Sequence, residues 1–356
     1  MVVLQVCAFA APAPGNFISS LVVLEKTLKQ DGTETIYAFP EKAKKREWCI
    51  EIANRTKVYF LPEAKARIKP ATYKTFKKIY KENHVQIIHS HFELYDVPAT
   101  ITAPKDAKVF WHLHDALKEN YNKSPLSRKI LTKLQYGVLN NKTTLLSAST
   151  EHALFAEKLG FPKNKIYYIP NGINTSKFNI TDIDSNNKKE YILFFGWDVQ
   201  RKGVDVLVEA AREIDKEIKI VVVGQEKCEE YLKENKASQN IECIMPVKDT
   251  NSLYKHALAF LHISRAEGFS YALLEALYVG LPIICSEIPE NSFAHEFKNV
   301  IWVPSGNAKA LTKALNLLTS NKFVVKTEDI EFNRNIIRNK YSIDGWVKTI
   351  KNNYLK

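Results

Sequence analysis

Cysteine is scarce in this sequence, and long hydrophobic runs are missing from it. The five cysteines are odd in number and no two of them have the C-x-x-C spacing, which argues against a zinc site or a disulfide framework. No run approaches the roughly 18 consecutive apolar residues of a membrane-spanning helix. The apolar first ten residues lack the basic start of a signal peptide and predict a buried β-strand. We therefore expect a cytoplasmic protein, with the inner face of the cell membrane as a second location.

The sequence also has no internal repeat and no low-complexity tract. Its 356 residues are long for one domain and suit two domains of about 150–180 residues each. Apolar runs of strand length alternate with helix-like segments, which predicts parallel sheets covered by helices on both faces. Strands are expected at Val2–Ala8, Val85–His89, Val109–Leu113, Thr144–Ala148, Ile166–Ile169, Tyr191–Phe195, Ile218–Val223, Ala257–Ile263 and Pro282–Ser286. Helices are expected at Phe17–Gln30, Pro70–Lys81, Val204–Ile214 and Tyr271–Val279.

A polar segment, Asn171–Glu190, separates two series of such elements and is rich in Asn, Asp, Ser and Thr. It is the expected domain boundary. Two doubly wound domains in tandem place a ligand at the carboxyl ends of their strands, in the cleft between them. Functional motifs are therefore expected just after strands.

The net charge of +12 is concentrated in the first half of the chain. Residues 1–170 contain 26 Lys and Arg against 15 Asp and Glu, whereas residues 171–356 contain 25 against 24. The basic half is expected to attract a lipid headgroup surface, a lipid-linked phosphate acceptor or nucleic acid. Within it, Lys65–Lys81 alternates Lys with Ile, Tyr and Phe. This pattern predicts either a basic amphipathic helix on a membrane or an ordinary solvated helix.

The strongest motif follows the strand Ala257–Ile263. Glu267 lies in the loop after the strand, and Gly268 allows a backbone amide to approach a ligand closely. A helix is expected to begin near Ser270 and to present free N–H groups to an anion. Glu275 lies on the second turn of that helix. Two carboxylates in this arrangement can bind two hydroxyl-bearing parts of one ligand.

A second motif follows the strand Tyr191–Phe195. The strand is expected to end at Gly196, the next loop carries the adjacent cations Arg201 and Lys202, and Gly203 leads into a helix. Fixed cations can neutralise the charge that grows on a departing diphosphate without any metal. An ordinary pair of surface cations is the alternative.

Both motifs resemble those of the retaining glycosyltransferases of family 4, also called glycosyl transferases group 1. The signature of that family is Glu, seven residues, Glu, then a helix end and Gly-x-Pro, and it is matched by Glu267, Glu275, Gly280 and Pro282. The resemblance covers about residues 1–350. It implies the GT-B fold, an α/β architecture of two Rossmann-like doubly wound domains that face each other across a cleft.

The resemblance also implies how the chain is divided. An N-terminal domain at 1–175 would lie on the acceptor side, and a C-terminal domain at 176–340 would bind the nucleotide sugar. A C-terminal helix at about 341–356 would pack back on the first domain. The string Asp182-Ile-Asp184 lies in the linker and is set aside as a solvated loop.

Roles for the site residues follow from the resemblance. Glu275 corresponds to the ligand of the ribose hydroxyls and Glu267 to the ligand of the donor sugar hydroxyls. Lys202 corresponds to a lysine that binds the diphosphate, whereas the matching arginine position is occupied by Trp197. Arg201, four residues later, is the nearest substitute. The implied donor-binding residues are Gly15, Gly196, Arg201, Lys202, Val247, Glu267, Gly268, Phe269, Leu273, Leu274 and Glu275.

Weaker matches occur in the first half of the chain. His114 corresponds to the family's cleft histidine beside the donor sugar, and His89 and His91 end another predicted strand. Gly15 stands where the family has a pair of glycines before its first helix, and one of the pair is missing. The implied catalytic residues are His114, Arg201, Lys202 and Glu267.

The implied reaction is hexosyl transfer from a nucleotide diphosphate sugar to a saccharide or lipid-linked acceptor, with retention of configuration. It needs no cofactor, no metal and no protein nucleophile, because the leaving phosphate takes the proton of the acceptor. Lysine- and asparagine-rich usage with a basic first domain suggests bacterial surface polysaccharide or glycolipid synthesis. A nucleotide-sugar 2-epimerase shares the fold and is the alternative. Nucleic-acid binding is a remote one, because no recognition motif accompanies the positive charge.

Overall fold

Apolar strands and amphipathic helices alternate along the chain, as the sequence predicts. The computed structural model describes residues 1–63, 66–178, 190–214, 217–247, 249–320 and 323–356. The chain divides into two units, the first formed by Met1–Gly172 with Ile343–Lys356 and the second by Ile173–Ser342. Each unit has its own parallel sheet and its own core.

The first unit is built on a seven-stranded sheet in the order β3-β2-β1-β4-β5-β6-β7. Its strands are β1 Val2–Cys7, β2 Glu34–Pro40, β3 Val58–Leu61, β4 Ile87–His91, β5 Lys108–Leu113, β6 Thr143–Ser147 and β7 Ile166–Tyr168. Every adjacent pair is parallel. The chain first adds strands on one side of β1 and then on the other, which is a doubly wound order.

Helices cover both faces of this sheet. They are α1 Gly15–Gln30, α2 Glu47–Ala53, α3 Pro70–Asn83, α4 Asp96–Thr102, α5 Leu117–Lys123, α6 Leu126–Val138 and α7 Thr150–Lys158, with α15 Ile343–Leu355 from the end of the sequence. Successive residues of β1 point to opposite faces, so Val3 and Cys7 lie in one core cluster and Leu4 and Val6 in another. The first cluster also contains Trp346 from α15. This last helix therefore contributes to the core of the first unit.

The second unit is built on a six-stranded parallel sheet in the order β10-β9-β8-β11-β12-β13. Its strands are β8 Tyr191–Phe195, β9 Ile220–Val223, β10 Ile241–Ile244, β11 Ala257–His262, β12 Ile283–Glu287 and β13 Val300–Pro304. Its helices are α8 Val199–Lys202, α9 Val204–Ala210, α10 Glu226–Glu234, α11 Asn251–His256, α12 Tyr271–Val279, α13 Ala308–Thr319 and α14 Thr327–Lys340. The predicted α/β class with two doubly wound sheets is confirmed.

Four strands were not predicted, namely β2, β3, β10 and β13. Three of them, β3, β10 and β13, form sheet edges and have only four or five residues. Runs this short carry too little periodicity to be distinguished from loops. The second helix of the second unit ends at Ala210 rather than at Ile214 as predicted.

The interpretation of Lys65–Lys81 as a membrane-facing helix is wrong, because its apolar side faces the protein. Phe76, Ile79 and Tyr80 of α3 are buried in a core cluster of the first unit, and only the lysine side is exposed. The segment is therefore an ordinary solvated helix from Pro70 onward. Lys65, the Asp182-Ile-Asp184 string and most of the predicted linker lie outside the described residues.

Candidate active site

Four histidines lie at the carboxyl ends of β4 and β5 in the first unit. His89 and His91 lie two residues apart on β4, and His112 and His114 lie two residues apart at the end of β5, with His91 directly opposite His112. Residues two apart on a strand share a face, so all four rings lie on the same side of the sheet. His114 is partly exposed and the other three are buried.

The rings form two hydrogen-bonded chains. In one, His89 Nδ1 lies 2.6 Å from the Tyr354 hydroxyl and His89 Nε2 lies 3.2 Å from His112 Nδ1. In the other, His91 Nε2 lies 2.9 Å from Gln5 Oε1 and His91 Nδ1 lies 2.9 Å from His114 Nε2. Gln5 joins the two chains, because its Nε2 donates to the Tyr354 hydroxyl at 3.0 Å.

These histidines are neutral in the folded protein. Burial lowers the pKa of His114 to about 3, and burial lowers the pKa values of His89, His91 and His112 well below the ordinary range. One nitrogen from each of His89, His91 and His112 lies within 4.8 Å of the others, close enough to suggest a metal site. Both nitrogens of His89 and of His91 are already in hydrogen bonds, so a metal would have to replace this network.

Gly15 begins α1, beside this group of rings. Its φ of +57° lies in the left-handed region that favours glycine, and the space where a side chain would project contains no atom within 4 Å among the described residues. Two residues later, Phe17 makes edge-type ring contacts with His91 and His114, with centroids 5.2 and 5.1 Å away. The loop before α1 therefore adjoins the histidines.

In the second unit, the two sequence motifs meet at a buried ion pair. Lys202 Nζ lies 2.6 Å from Glu267 Oε1, and Ser264 Oγ donates to the same carboxylate oxygen at 2.6 Å. His262 Nε2 lies 3.8 Å from that oxygen. Lys202 and Glu267 are only 8% and 5% exposed, so this pair is largely removed from water.

The electrostatics of this pair keep Glu267 ionised. Burial alone would raise its pKa, but the charge of Lys202, the proximity of His262 and the hydrogen bonds from Lys202 and Ser264 together lower the pKa to about 2. Burial lowers the pKa of His262 to about 4, which leaves that ring neutral. The site therefore presents a fixed lysine and a fixed carboxylate beside an uncharged histidine.

The two cations, expected in a loop, lie in the short helix α8, and backbone contacts fix α8 against the loop that carries Glu267. The Arg265 amide donates to the Arg201 carbonyl at 2.7 Å. Gly203 has a φ of +81°, and a Cβ atom there would lie 2.5 Å from the Ile263 carbonyl oxygen. A side chain at Gly196 would likewise come within 2.9 Å of Val222. Both glycines are required where backbones and core side chains approach closely.

Trp197 lies beside both cations. The Arg201 guanidinium carbon is 4.4 Å from the centre of the indole ring, and Lys202 Nζ is 5.3 Å from it. Such distances are typical of cation–π contacts. The guanidinium Nε of Arg201 is buried and has no hydrogen-bond partner among the described residues, the Asp198 carboxylate being 3.8 Å away. The Arg201 charge is thus positioned by the Trp197 ring and by the backbone of α8.

Glu275 lies on α12 with partners of its own. Tyr254 donates a hydrogen bond of 2.8 Å to Glu275 Oε2, and Lys177 forms an ion pair with Oε1. Asn174 caps the short turn Thr175–Lys177 through its side chain, which places Lys177 here. The Glu275 carboxylate is buried, and each of its oxygens already has a partner. A ligand hydroxyl that binds it must therefore either donate alongside Tyr254 or Lys177 or replace one of them.

The start of α12 uses some of the amides that the sequence assigns to a ligand. Ser270 accepts a hydrogen bond from the Leu273 amide at 3.2 Å through Oγ, and the Leu274 amide donates to the Ser270 carbonyl at 3.4 Å. Both leucine side chains are fully buried. Gly268 and Phe269 form the loop that precedes this cap. Val247 follows the edge strand β10 and is exposed.

Sequence reasoning missed several residues of these clusters. Ser264 and His262 adjoin the end of β11, and a survey of polar residues at strand ends would have found them. Lys177 and Tyr254 are distant in sequence from Glu275 and gave no local signal. Gln5 and Tyr354 lay within apolar patterns that indicated only core.

Comparisons with known proteins bear on the family and the fold of the chain. The family model described as "Glycosyltransferase Family 4" matches residues 21–177, and the model "Glycosyl transferases group 1" matches residues 176–342. Sucrose-phosphate synthase from Thermosynechococcus elongatus has a similar structure, with a TM-score of 0.81 at 15% identity over 99% of this chain and 98% of that one. HepE from Anabaena, solved with UDP and glucose, has a TM-score of 0.78 at 14% identity over 99% of both chains.

These likenesses define the class of protein: the chain has the GT-B fold. A glycosyltransferase of capsular polysaccharide biosynthesis in Staphylococcus aureus, CapH, is 25% identical over 299 residues, which span 79% of each chain. Together with the two family models, this relative confirms the family that the sequence motifs indicated. The chain belongs to the glycosyl transferases group 1.

Proposed function

We propose that the chain is a retaining hexosyltransferase that moves a sugar from a nucleoside diphosphate sugar to an acceptor. The observation that carries this proposal is the buried Lys202–Glu267 pair, 2.6 Å apart, with Arg201 next to Lys202 in α8. A lysine held by a carboxylate and an arginine held by Trp197 are preorganised to receive a diphosphate. The structural relative HepE binds UDP and glucose, which supports a nucleotide sugar as donor.

The roles proposed for the side chains follow from their chemistry. Lys202 and Arg201 would stabilise the charge on the leaving diphosphate, and within the described part of the chain the buried Nε–H of Arg201 is a donor without an acceptor. Glu267 would accept a hydrogen bond from a sugar hydroxyl, and Glu275 would accept from the ribose. His114 would contact the donor sugar. With two fixed cations available, we propose that no metal ion is required.

The proposed setting is the synthesis of a bacterial surface polysaccharide or glycolipid. The relative from Staphylococcus aureus acts in capsular polysaccharide biosynthesis. The 2-epimerase alternative gains no support, because both family models describe glycosyltransferases. Incubating the enzyme with donor but no acceptor distinguishes the two reactions, since only an epimerase would release an epimer.

A screen of nucleotide sugars for protection against thermal unfolding tests the donor. A ligand that binds only the native state raises the unfolding temperature by mass action. The parent protein should be protected by one class of nucleoside diphosphate sugar. The variant Lys202→Ala should lose that protection, whereas Arg212→Ala, which removes an exposed arginine of the same unit, should keep it. Protection that survives Lys202→Ala would remove the ion pair from the donor site.

We further propose that the first unit binds an anionic membrane through α6. Five apolar residues of this helix are between 51% and 72% exposed: Leu126, Ile130, Leu131, Leu134 and Val138. Its buried residues include polar ones, Thr132 and Gln135, so the apolar side faces outward. Residues 117–142 contain six Lys and Arg against one Asp or Glu. A positively charged apolar face matches an anionic lipid surface, whereas a second copy would bring like charges together.

Vesicle sedimentation tests the membrane proposal. Ile130→Ser with Leu134→Ser should lower binding to anionic vesicles by at least tenfold, because each buried leucine side chain contributes ~1.5–3 kcal/mol. Lys129→Gln with Lys133→Gln should lower it too, since each basic residue adds about 1 kcal/mol near such a surface. Lys77→Gln with Lys78→Gln on α3 is the matched control. Equal losses from both lysine pairs, or salt-independent binding, would contradict a role for α6. Among the described helices, none has the length and hydropathy to cross a membrane.

A further inference from the structure

With the Gln5 amide nitrogen facing Tyr354 and its oxygen facing His91, the hydrogen bonds determine which nitrogen of each histidine carries its proton. The Tyr354 hydroxyl accepts from Gln5 Nε2 at 3.0 Å, so its own hydrogen is left for His89 Nδ1 at 2.6 Å. A neutral ring that accepts at Nδ1 must carry its hydrogen on Nε2. His89 Nε2 therefore donates to His112 Nδ1 at 3.2 Å, and His112 in turn is protonated at Nε2.

In the second chain of hydrogen bonds, the contact with Gln5 again determines the tautomers. Gln5 Oε1 is an acceptor, so His91 Nε2, 2.9 Å away, must carry a hydrogen. His91 Nδ1 then accepts from His114 Nε2 at 2.9 Å. His114 is thus the Nε2–H tautomer, and its Nδ1 lone pair has no hydrogen-bond partner among the described residues. All four rings share one tautomer.

Only one other pattern satisfies every bond. Turning the Gln5 amide over makes its oxygen accept from Tyr354 and its nitrogen donate to His91, and every ring then changes tautomer. His114 would become the Nδ1–H form, a donor where it had been an acceptor. The two patterns are mutually exclusive, so the side chains of Gln5 and Tyr354 control the hydrogen-bonding character of a ring at the end of β5.

We propose that Gln5 and Tyr354 are positioning residues that hold His114 as the Nε2–H tautomer, so that Nδ1 accepts a hydrogen bond from a hydroxyl of the donor sugar. This rests on the proposed function, in which His114 contacts that sugar. The same network leaves the buried Nε2–H of His112 without an acceptor among the described residues. An acceptor at His114 Nδ1 suits a ligand hydroxyl, which can donate a hydrogen bond, better than an ionised phosphate oxygen, which cannot.

Nitrogen-15 NMR of histidine-labelled protein tests the tautomers directly. In the parent at neutral pH, His89, His91, His112 and His114 should each show a protonated Nε2 and an unprotonated Nδ1. Tyr354→Phe removes the hydroxyl and frees the Gln5 amide to turn, so all four rings should show mixed tautomers. Gln5→Met removes the amide that donates to Tyr354 and accepts from His91, so neither chain keeps a fixed direction and all four rings should again show mixed tautomers. Tyr80→Phe removes another buried hydroxyl of the same unit, which donates to the Ala99 carbonyl at 2.9 Å, and should change none of them.

Measurements of kcat/KM test whether the tautomer of His114 matters for the reaction. Tyr354→Phe and Gln5→Met should each lower kcat/KM for the nucleotide sugar about tenfold, the loss expected for one neutral hydrogen bond. Affinity for the free nucleoside diphosphate should not change, and Tyr80→Phe should match the parent in both. An Nδ1–H or doubly protonated His114 in the parent would overturn the proposal, as would mixed tautomers with unchanged turnover. The spectra decide the tautomer even if no nucleotide sugar is turned over, so failure of the proposed function remains distinguishable.

Discussion

The two units bring polar groups to the ends of their strands in opposite ways. The first unit gathers neutral rings, held in hydrogen-bonded chains by Gln5 and Tyr354. The second unit gathers full charges, with Lys202 beside Glu267 and Lys177 beside Glu275. In both units burial disfavours a charged side chain, and each unit offsets this differently. The histidines lose their protons, whereas the glutamates keep their charge next to a lysine.

Net charge does not locate these groups. With its C-terminal helix, the first unit contains 29 Lys and Arg against 16 Asp and Glu, a net charge of +13, yet its polar cluster is uncharged. The second unit contains 22 against 23, a net charge of −1, yet it holds the cations proposed to bind phosphate. An overall excess of lysine therefore indicates what the surface attracts, and local geometry indicates where an anion is bound.

The largest effects are expected where charges are fixed. Arg201→Ala and Lys202→Ala should each lower turnover at saturating donor by about 10²–10³, the scale of losing one preorganised electrostatic donor. Arg201→Lys should recover only part of the activity, because a point charge does not reproduce a bidentate contact. Arg212→Ala serves as the control. If Arg201→Ala matches the parent while Lys202→Ala is inactive, the second cation lies outside α8.

Glu275→Ala should weaken donor binding by roughly 10- to 150-fold, since hydrogen bonds to a charged group contribute ~1.5–3 kcal/mol. The loss should appear in affinity for the free nucleoside diphosphate, measured by calorimetry, with the fold intact. The variant also leaves Lys177 without its carboxylate partner, so Lys177→Met in the same background provides the comparison. Unchanged affinity would remove Glu275 from the nucleotide site.

Glu267→Ala should act on the sugar rather than on the nucleotide. Turnover of the nucleotide sugar should fall more than the affinity for the free nucleoside diphosphate, because Glu267 is assigned to the sugar hydroxyls. Parallel measurements of kcat and of nucleotide affinity check this. Equal damage to both quantities would mean that the roles of the two glutamates are assigned incorrectly.

The last comparison is stability in mild acid, where the two units should differ because four buried histidines with lowered pKa values lie in the first unit, whereas the second contributes His262. Histidines with lowered pKa values bind protons only when unfolded, so stability falls as pH drops below about 6.5, by up to about 1.4 kcal/mol per pH unit for each ring. Glu267, with its pKa of about 2, adds a loss only below about pH 4.5. Urea unfolding between pH 7.5 and 5 should show a shallower pH slope for His89→Gln than for the parent. His84→Asn, at an exposed position, should leave the slope unchanged.

The fold class could be predicted because apolar runs of strand length alternate with helix-like segments along the sequence. The sequence also predicted Lys202 and Glu267 as members of one site, although 65 residues separate them, because each follows a strand end in a parallel sheet. It gave no indication that Arg201 would lie over Trp197, or that Lys177 would reach Glu275. Such contacts depend on side-chain directions in the folded chain, which no local pattern encodes.

The discontinuity of the first unit has a consequence for synthesis on the ribosome. The last strand of its sheet ends at Tyr168, but the hydroxyl that completes the histidine network belongs to Tyr354, 186 residues later. At about 5–20 residues per second, roughly 10–40 s of translation separate the two. During that interval α1 lacks the helix α15 that packs against it in the finished unit. The first unit to be translated is thus the last to be finished.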